Sequence, residues 1–469
     1  MAMGRRQEKQ QGFWIATQDL PSSPGHPFYE QLNKLLDQAG FDAFCEERCE
    51  RFYAEKMGRP SIRPGVYFRM LMIGYFEKLD SERQIAWRCA DSLSLRSFLR
   101  IPLEESEPPD HSSLSRIRQR IDVETHQAVF DWVLKRLAEH GLLKGKTIGI
   151  DASTMEANAA MRSIVRKDTG QTYREYLTEL AKASGIETPT AEDLAKFDRK
   201  RKDKTCSNDD WESPNDPDAK VTKMKDGRTH LAHKPEHAVD LDTGAILAAE
   251  IHPADEGDTT TMYGTLEKAA SSLEEIREDS TVDADTSDLY MREVVADKGY
   301  HSGPTLVDLE AMELRGYISE PDRGQRRWTA QGVEDEAFKR AEQAAVYRNR
   351  RRRRGNRSKR LHRRRGEFVE RAFEHVLDDG GMRRAHLCGR EKIAKRYLIH
   401  VAAFNLGLIL RALLGFGTPK GWADAAADRL LRCASVLASL WKQVSTVWAR
   451  CRVLLAPKVS DGAPHAAAA

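Results

Sequence analysis

Two short apolar runs, each closed by a single aspartate, constrain this chain more than anything else in it. "IGID" ends at Asp151 and "VVAD" ends at Asp297. Each run is too short for a helix and reads as a buried strand. A carboxylate at the end of a buried strand is costly unless something compensates it. A lone strand-end Asp often caps the following turn. Two on neighbouring strand ends, joined by a third carboxylate from a helix, make a hard oxygen site suited to Mg²⁺. Such a site holds two ions about 4 Å apart, the arrangement that drives in-line phosphoryl transfer.

A second feature supplies the third acid. "RNRRRRRGNRSKRLHRRRGEFVERAF" runs from Arg348 to Phe373. Its first eighteen residues hold eleven Arg, one Lys and no acid, and Glu367, Glu370 and Glu374 follow. Net charge over all 469 residues is only +3, so the basic character is local, as a polyanion footprint requires. The planar Arg fork pairs bidentately with phosphate. Arg350, Arg352, Arg354, Arg357, Lys359, Arg360, Arg363 and Arg364 are the candidate phosphate contacts to a polyanion, with Lys298 beside Asp297 and Lys234 in an upstream strand. The competing reading is a solvated linker, above all over 348–357. Trp328 is a candidate for stacking on an unpaired base, or for simple packing.

The rest of the chain gives the organisation. Residues 1–25 read as a flexible N-terminus. Residues 26–140 carry apolar positions at three- and four-residue spacing and read as an all-helical domain, with Asp110 or Ser112 capping one helix. From 141 to 415 the pattern is strand, insertion, strand, strand, helix, strand, helix, strand, helix. The charged stretch 163–228 reads as an insertion or mobile loop. "HAVDLDTGAILAAEIH" reads as a hairpin turning at Asp242-Thr243-Gly244, with Asp240 and Asp242 as turn residues. His230, His233 and His237 lie at near-alternating positions and read as surface or DNA-facing. A C-terminal helix and a disordered tail are expected over 416–469. "LIHVAAFNLGLILRALLGF" is interrupted by His400, Asn405 and Arg411 and reads as a core helix rather than a membrane span. Seven scattered cysteines, with no CxxC pair, argue against a disulfide framework or a zinc site. A cytoplasmic location without a membrane role is expected.

The ordered set "IGIDASTMEANA", "HKPEHAVDLDTGAI", "VVADKGYHS", "FVERAFEHV" and "GREKIAKRYLIHVAAFNLGLIL" resembles the DDE transposases of bacterial insertion sequences. "GRPSIRPGVYFRMLMIGYFEKLDSERQIAWRC" is similar to their N-terminal domain, and the resemblance spans roughly residues 20–415. It implies an α/β fold: an RNase H-like mixed-sheet core preceded by an all-helical domain. It also implies Asp151, Asp297 and Glu370 as catalytic and metal-binding residues, with Glu367 the rival third acid. Mg²⁺ is the implied cofactor, replaceable by Mn²⁺. The implied partners are the element's terminal inverted repeats, target DNA and at least a second copy of the chain. The implied reaction is DNA cleavage and strand transfer. A nuclease with the same core that never joins DNA, and a decayed transposase that only binds it, remain alternatives.

Overall fold

The computed structural model describes residues 23, 25–54, 61–103, 107–202, 207–224, 227–322, 324, 326, 328 and 333–454. Most of the expected flexible N-terminus, and the expected tail beyond Leu454, lie outside the described residues.

The first third is helical: α1 (Pro27–Gln38), α2 (Phe41–Cys49), α3 (Pro64–Phe76), α4 (Glu82–Asp91), α5 (Leu93–Phe98), α6 (His111–Arg120) and α7 (Val123–Glu139). Polar caps set the helix starts. Ser81, Ser92, Asp110 and Asp122 each accept a hydrogen bond from the backbone N–H three residues on. Helix α3 is buried along its whole length and is the hub on which its neighbours pack.

A mixed α/β unit follows. Its elements are β1 (Thr147–Ala152), β2 (Met155–Glu156), β3 (Val165–Arg166), α8 (Tyr173–Ala183), α9 (Ala191–Lys200), β4 (Trp211–Glu212), β5 (Lys220–Lys223), β6 (Thr229–Asp240), β7 (Ile246–Pro253), α10 (Asp258–Glu278), β8 (Glu293–Ala296), α11 (Gly303–Ala311), β9 (Arg315–Ile318), α12 (Val333–Arg353), α13 (Asn356–Phe373), α14 (Arg390–Leu414) and α15 (Pro419–Leu454). The body of the sheet runs β7, β6, β1, β8, β9. The first two junctions are antiparallel and the last two parallel. This is the mixed sheet expected of an RNase H-like core. The hairpin turns where expected, with Gly244 at φ +83°.

Three expectations change. The stretch 163–228 is not merely a loop. Capping boxes at Thr172/Glu175 and Thr190/Asp193 start α8 and α9. Small apolar clusters around Trp211 and around Leu177 pack the segment. Its high charge concealed these few core residues. The Arg run is helical, divided between α12 and α13 at Gly355. Finally, His233 and His237 are fully buried, not surface residues: His233 bonds Asp216 at 3.0 Å and His237 bonds the Tyr397 hydroxyl at 2.7 Å.

Helix α14 ties the two parts into one core. It has the length and composition of a membrane span, yet most of that stretch is buried against α3, α7 and β7. Arg396, at 1% exposure, donates to the carbonyls of Leu79 and Asp80 at 2.6 and 2.7 Å. Burial pushes its pKa down to about 10. Helix α15 leaves Leu430, Leu437, Leu440, Trp441 and Val444 exposed.

Both sheet edges are closed by a buried helical asparagine. Asn405 accepts from the Ile246 N–H at 3.0 Å and donates to its carbonyl at 2.8 Å, closing β7. Asn349 does the same for Ile318 of β9, at 3.2 and 2.9 Å. Each side chain replaces the missing strand at an edge. Asn405→Ala leaves both Ile246 groups buried and unpaired, so unfolding stability should fall by about 3 kcal/mol. A urea midpoint indistinguishable from the parent's would refute this role.

Candidate functional site

The site stands where two parallel strands end. β1 and β8 pair with Thr147 opposite Glu293, Ile148 opposite Val294 and Gly149 opposite Val295. Carrying that register two residues further sets Asp151 level with Asp297. Neighbouring strands lie about 4.8 Å apart, so the two carboxylates are neighbours. Gly149 permits the close approach of α13: a side chain there would meet Val369 and Leu241.

Asp151 sits in a charge contest. Burial pushes its carboxyl up, Arg365 pulls it down, and the Asp297 charge pushes it up again. The outcome lies above the usual carboxylate value. Nη1 of Arg365 donates to Asp151 Oδ2 at 2.7 Å. Asp297 caps the turn after β8, its Oδ1 accepting from the Gly299 N–H at 2.8 Å. A Cβ on Gly299 would lie 2.3 Å from Asp258 Oδ2 and 3.1 Å from Asp297 Oδ1, so a larger residue there would push these carboxylates aside. Asp258, the first residue of α10, thus stands beside Asp297.

Beneath these acids is a buried polar layer. Lys234 donates to the Glu256 carbonyl and to Thr261 Oγ1, both at 3.0 Å, and pairs with Asp258 at 2.7 Å. At 6% exposure, with those partners, it is an internal ammonium and not the phosphate contact the sequence suggested. Glu236 is fully buried. Burial opposes its charge, but donors from His252, Thr265, Tyr300 and Thr261 hold it below the usual carboxylate range. Tyr300 bonds it at 2.8 Å, so the Tyr of "DKGY" is a floor residue.

Helix α13 presents the third acid. Leu361, Val369, Ala372 and Phe373 form its buried side, and Phe373 stacks on His237 at 4.1 Å between ring centres. His237 pairs across the strands with Asp151. At about 100° per residue, Glu370 lies at the flank of that buried side and Glu367 opposite it. Glu370 is exposed, and no described side chain pairs with it, whereas Glu367 bonds Arg371 at 3.1 Å. Among the described residues no three His, Cys, Asp or Glu side chains gather as a metal site. The fold brings Asp151 and Asp297 together and leaves Glu370 outside the pair. The donor chemistry still fits a divalent ion: hard carboxylate oxygens, with a cationic group already held against them.

The Arg run divides its labour. Arg350 forms a bidentate pair with Glu320 at 2.7 Å, and Arg352 donates to the Gly316 carbonyl at 3.0 Å. Arg357 pairs with the buried Glu293, and Arg364 with Asp242. These four fasten α12 and α13 to the sheet. Arg354, Lys359, Arg360 and Arg363 are exposed and have no acidic partner among the described residues, as is Lys298. On α13, Lys359, Arg363 and Glu370 fall on one stripe at about 100° per residue. Trp328 packs half-buried against the core, with Arg326 over its ring at 5.3 Å. The sequence reading missed Arg365, whose signal was its place in the row Leu361, Arg365, Val369 on the packed side.

Two family models match the chain. One, described as Transposase domain (DUF772), covers residues 17–120 and so α1 to α6. The other, described as Transposase DDE domain, covers residues 167–406, more than half of the chain. No curated protein and no solved structure matches. The second match includes Asp297 and Glu370 but begins after Asp151, so the case for Asp151 rests on the sheet register. With the mixed sheet, the helical domain before it and a match over most of both, the chain belongs to the DDE transposase family.

Proposed function

We propose that this transposase binds the terminal inverted repeats of an insertion sequence, cuts DNA there, and transfers the freed 3′-hydroxyl to target DNA. The observation that carries the reading is the level pair Asp151 and Asp297, with exposed Arg and Lys side chains on the helix that packs over it. Asp151, Asp297 and Glu370 are the proposed ligands, and Mg²⁺ the proposed ion, with Mn²⁺ as a substitute. Divalent ions held there supply activation of the attacking oxygen and stabilisation of the leaving oxygen. The chain's own residues then bind and orient. Lys298, Arg354, Lys359, Arg360 and Arg363 hold the phosphates, independent of sequence. No Ser or Tyr nucleophile is needed when water and the 3′-hydroxyl attack directly.

Recognition of the element ends is assigned to the helical domain. Bringing two ends together requires at least two copies of the chain on DNA. The proposed domains are the helical unit over 26–140 and the catalytic unit over 141–415.

A labelled element-end duplex with Mg²⁺ tests the reading. Asp151→Asn and Asp297→Asn should each lower cleavage by about 10³-fold and leave DNA binding measured without a divalent ion within about twofold of the parent. Cleavage by Asp297→Asn at the parent rate would remove the assignment. A pre-cut end separates a transposase from a nuclease of the same core, because only the former joins it to target DNA. For the third acid, Glu370→Gln should cost about 10²-fold in rate and Glu367→Gln less than about threefold. The reverse order would transfer the role to Glu367. Replacing Arg354, Arg360 and Arg363 together by Ala should make the slope of log affinity against log salt shallower by about three. An unchanged slope would place the phosphate track elsewhere.

A further inference from the structure

Arg365 is the one cation of the run that touches a proposed ligand. Its Nη1 lies 2.7 Å from Asp151 Oδ2, with side chains 14% and 23% exposed. Its Nε is buried and has no hydrogen-bond partner among the described residues. Two of the pairs that fasten α12 and α13 are better made, although Arg352 also leaves a buried nitrogen, Nη2, without a hydrogen-bond partner among the described residues. Arg350 reaches both Glu320 oxygens, and Glu293 receives Thr147 and Tyr317 as well as Arg357. At the site Arg365 pairs with Asp151 alone, and Asp297, level with it, has no cationic partner among the described residues. A partly satisfied guanidinium against half-compensated acids is an arrangement that a divalent cation would displace.

We propose that Arg365 is an internal stand-in cation: it holds Asp151 while the site is empty, and a divalent ion binds only as Arg365 withdraws. This rests on the reading of Asp151 as a metal ligand. A withdrawn guanidinium needs another anion, and at this position the backbone of bound DNA supplies one. DNA would therefore favour the ion and the ion would favour DNA, by the same factor, because coupling between two ligands is reciprocal. Arg365 is a positioning residue in this scheme, acting through Asp151.

The test is Mn²⁺ titration by calorimetry into the full chain without DNA. Arg365→Met should bind Mn²⁺ about tenfold more tightly than the parent, and Arg365→Lys, which keeps the charge, should stay close to the parent. Asp151→Asn should lose binding. A urea midpoint for each variant identifies any that has not folded, and Arg365→Gln replaces Arg365→Met if that one fails. A second readout is duplex affinity by fluorescence anisotropy with and without Ca²⁺, on a random-sequence duplex. The ion should strengthen DNA binding by the parent, and the gain should be lost in Arg365→Met. If Arg365→Met binds Mn²⁺ no more tightly than the parent while Asp151→Asn loses it, the ligand reading stands and the stand-in role is overturned. If Asp151→Asn binds Mn²⁺ like the parent, the ligand reading fails and the stand-in role fails with it.

Discussion

The parallel pairing of β1 with β8 is the constraint on which the site depends. Parallel neighbours cannot be joined by a tight turn, so the chain must cross over the sheet between them. Here the crossover after the β6–β7 hairpin is α10, whose first residue is Asp258. Placing β8 beside β1 therefore does two things at once. It sets Asp151 level with Asp297, and it brings Asp258 against Gly299. Lys234 and Glu236, on the adjacent strand β6, then neutralise and anchor the start of α10 through Asp258 and Thr261. The acids at the strand ends are set by the register of a rigid sheet, which is the precision that phosphoryl transfer demands.

The Arg run shows how a dense like-charge segment can still be helical. Arginines four apart on a helix repel one another. The repulsion is relieved from outside, because Glu293 on the sheet, Asp242 in its β6–β7 turn, Glu320 just after β9, and Glu310 on α11 each take an arginine. Those pairs fix the phase of α12 and α13. Once the phase is fixed, Arg354, Lys359, Arg360 and Arg363 face outward, and the exposed stripe is a consequence of the anchoring.

Much of this was legible in the residues. Strand-end aspartates, the hairpin turn and the amphipathic helices follow from short-range pattern, and the order of elements from their succession. What escaped the sequence was partnership. Nothing local to Lys234 says that Asp258 will meet it, or that His237 will lie under Phe373. Among eleven arginines of one run, those that fasten and those that face outward look alike, because their difference lies in groups far away in sequence. The folded stretch 163–228 was hidden for a related reason: a few well-capped helical turns around Trp211 and Leu177 are diluted by charge in any composition measure.

Helical geometry places one more condition on Glu370 as the proposed third acid. Arg365 and Glu370 are five residues apart on α13, about 140° around the axis. A single orientation of the helix cannot aim both at Asp151, and the orientation seen here is that of Arg365. The helix does not end in an ordinary cap. After Phe373 it widens into a π-helical turn, Glu374–Asp379, closed by the Gly380 N–H on the His375 carbonyl at 2.7 Å. Such turns change the phase of a helix and recur at functional sites. The anchors of α13 also differ along its length. Its start and middle are held by the Arg357–Glu293, Arg364–Asp242 and Arg365–Asp151 ion pairs, and its end by apolar contact of Val369 with Gly149 and of Phe373 with His237. Directional bonds fix rotation more strictly than apolar contacts do, so the direction in which Glu370 points follows from the ion pairs earlier in the same continuous helix.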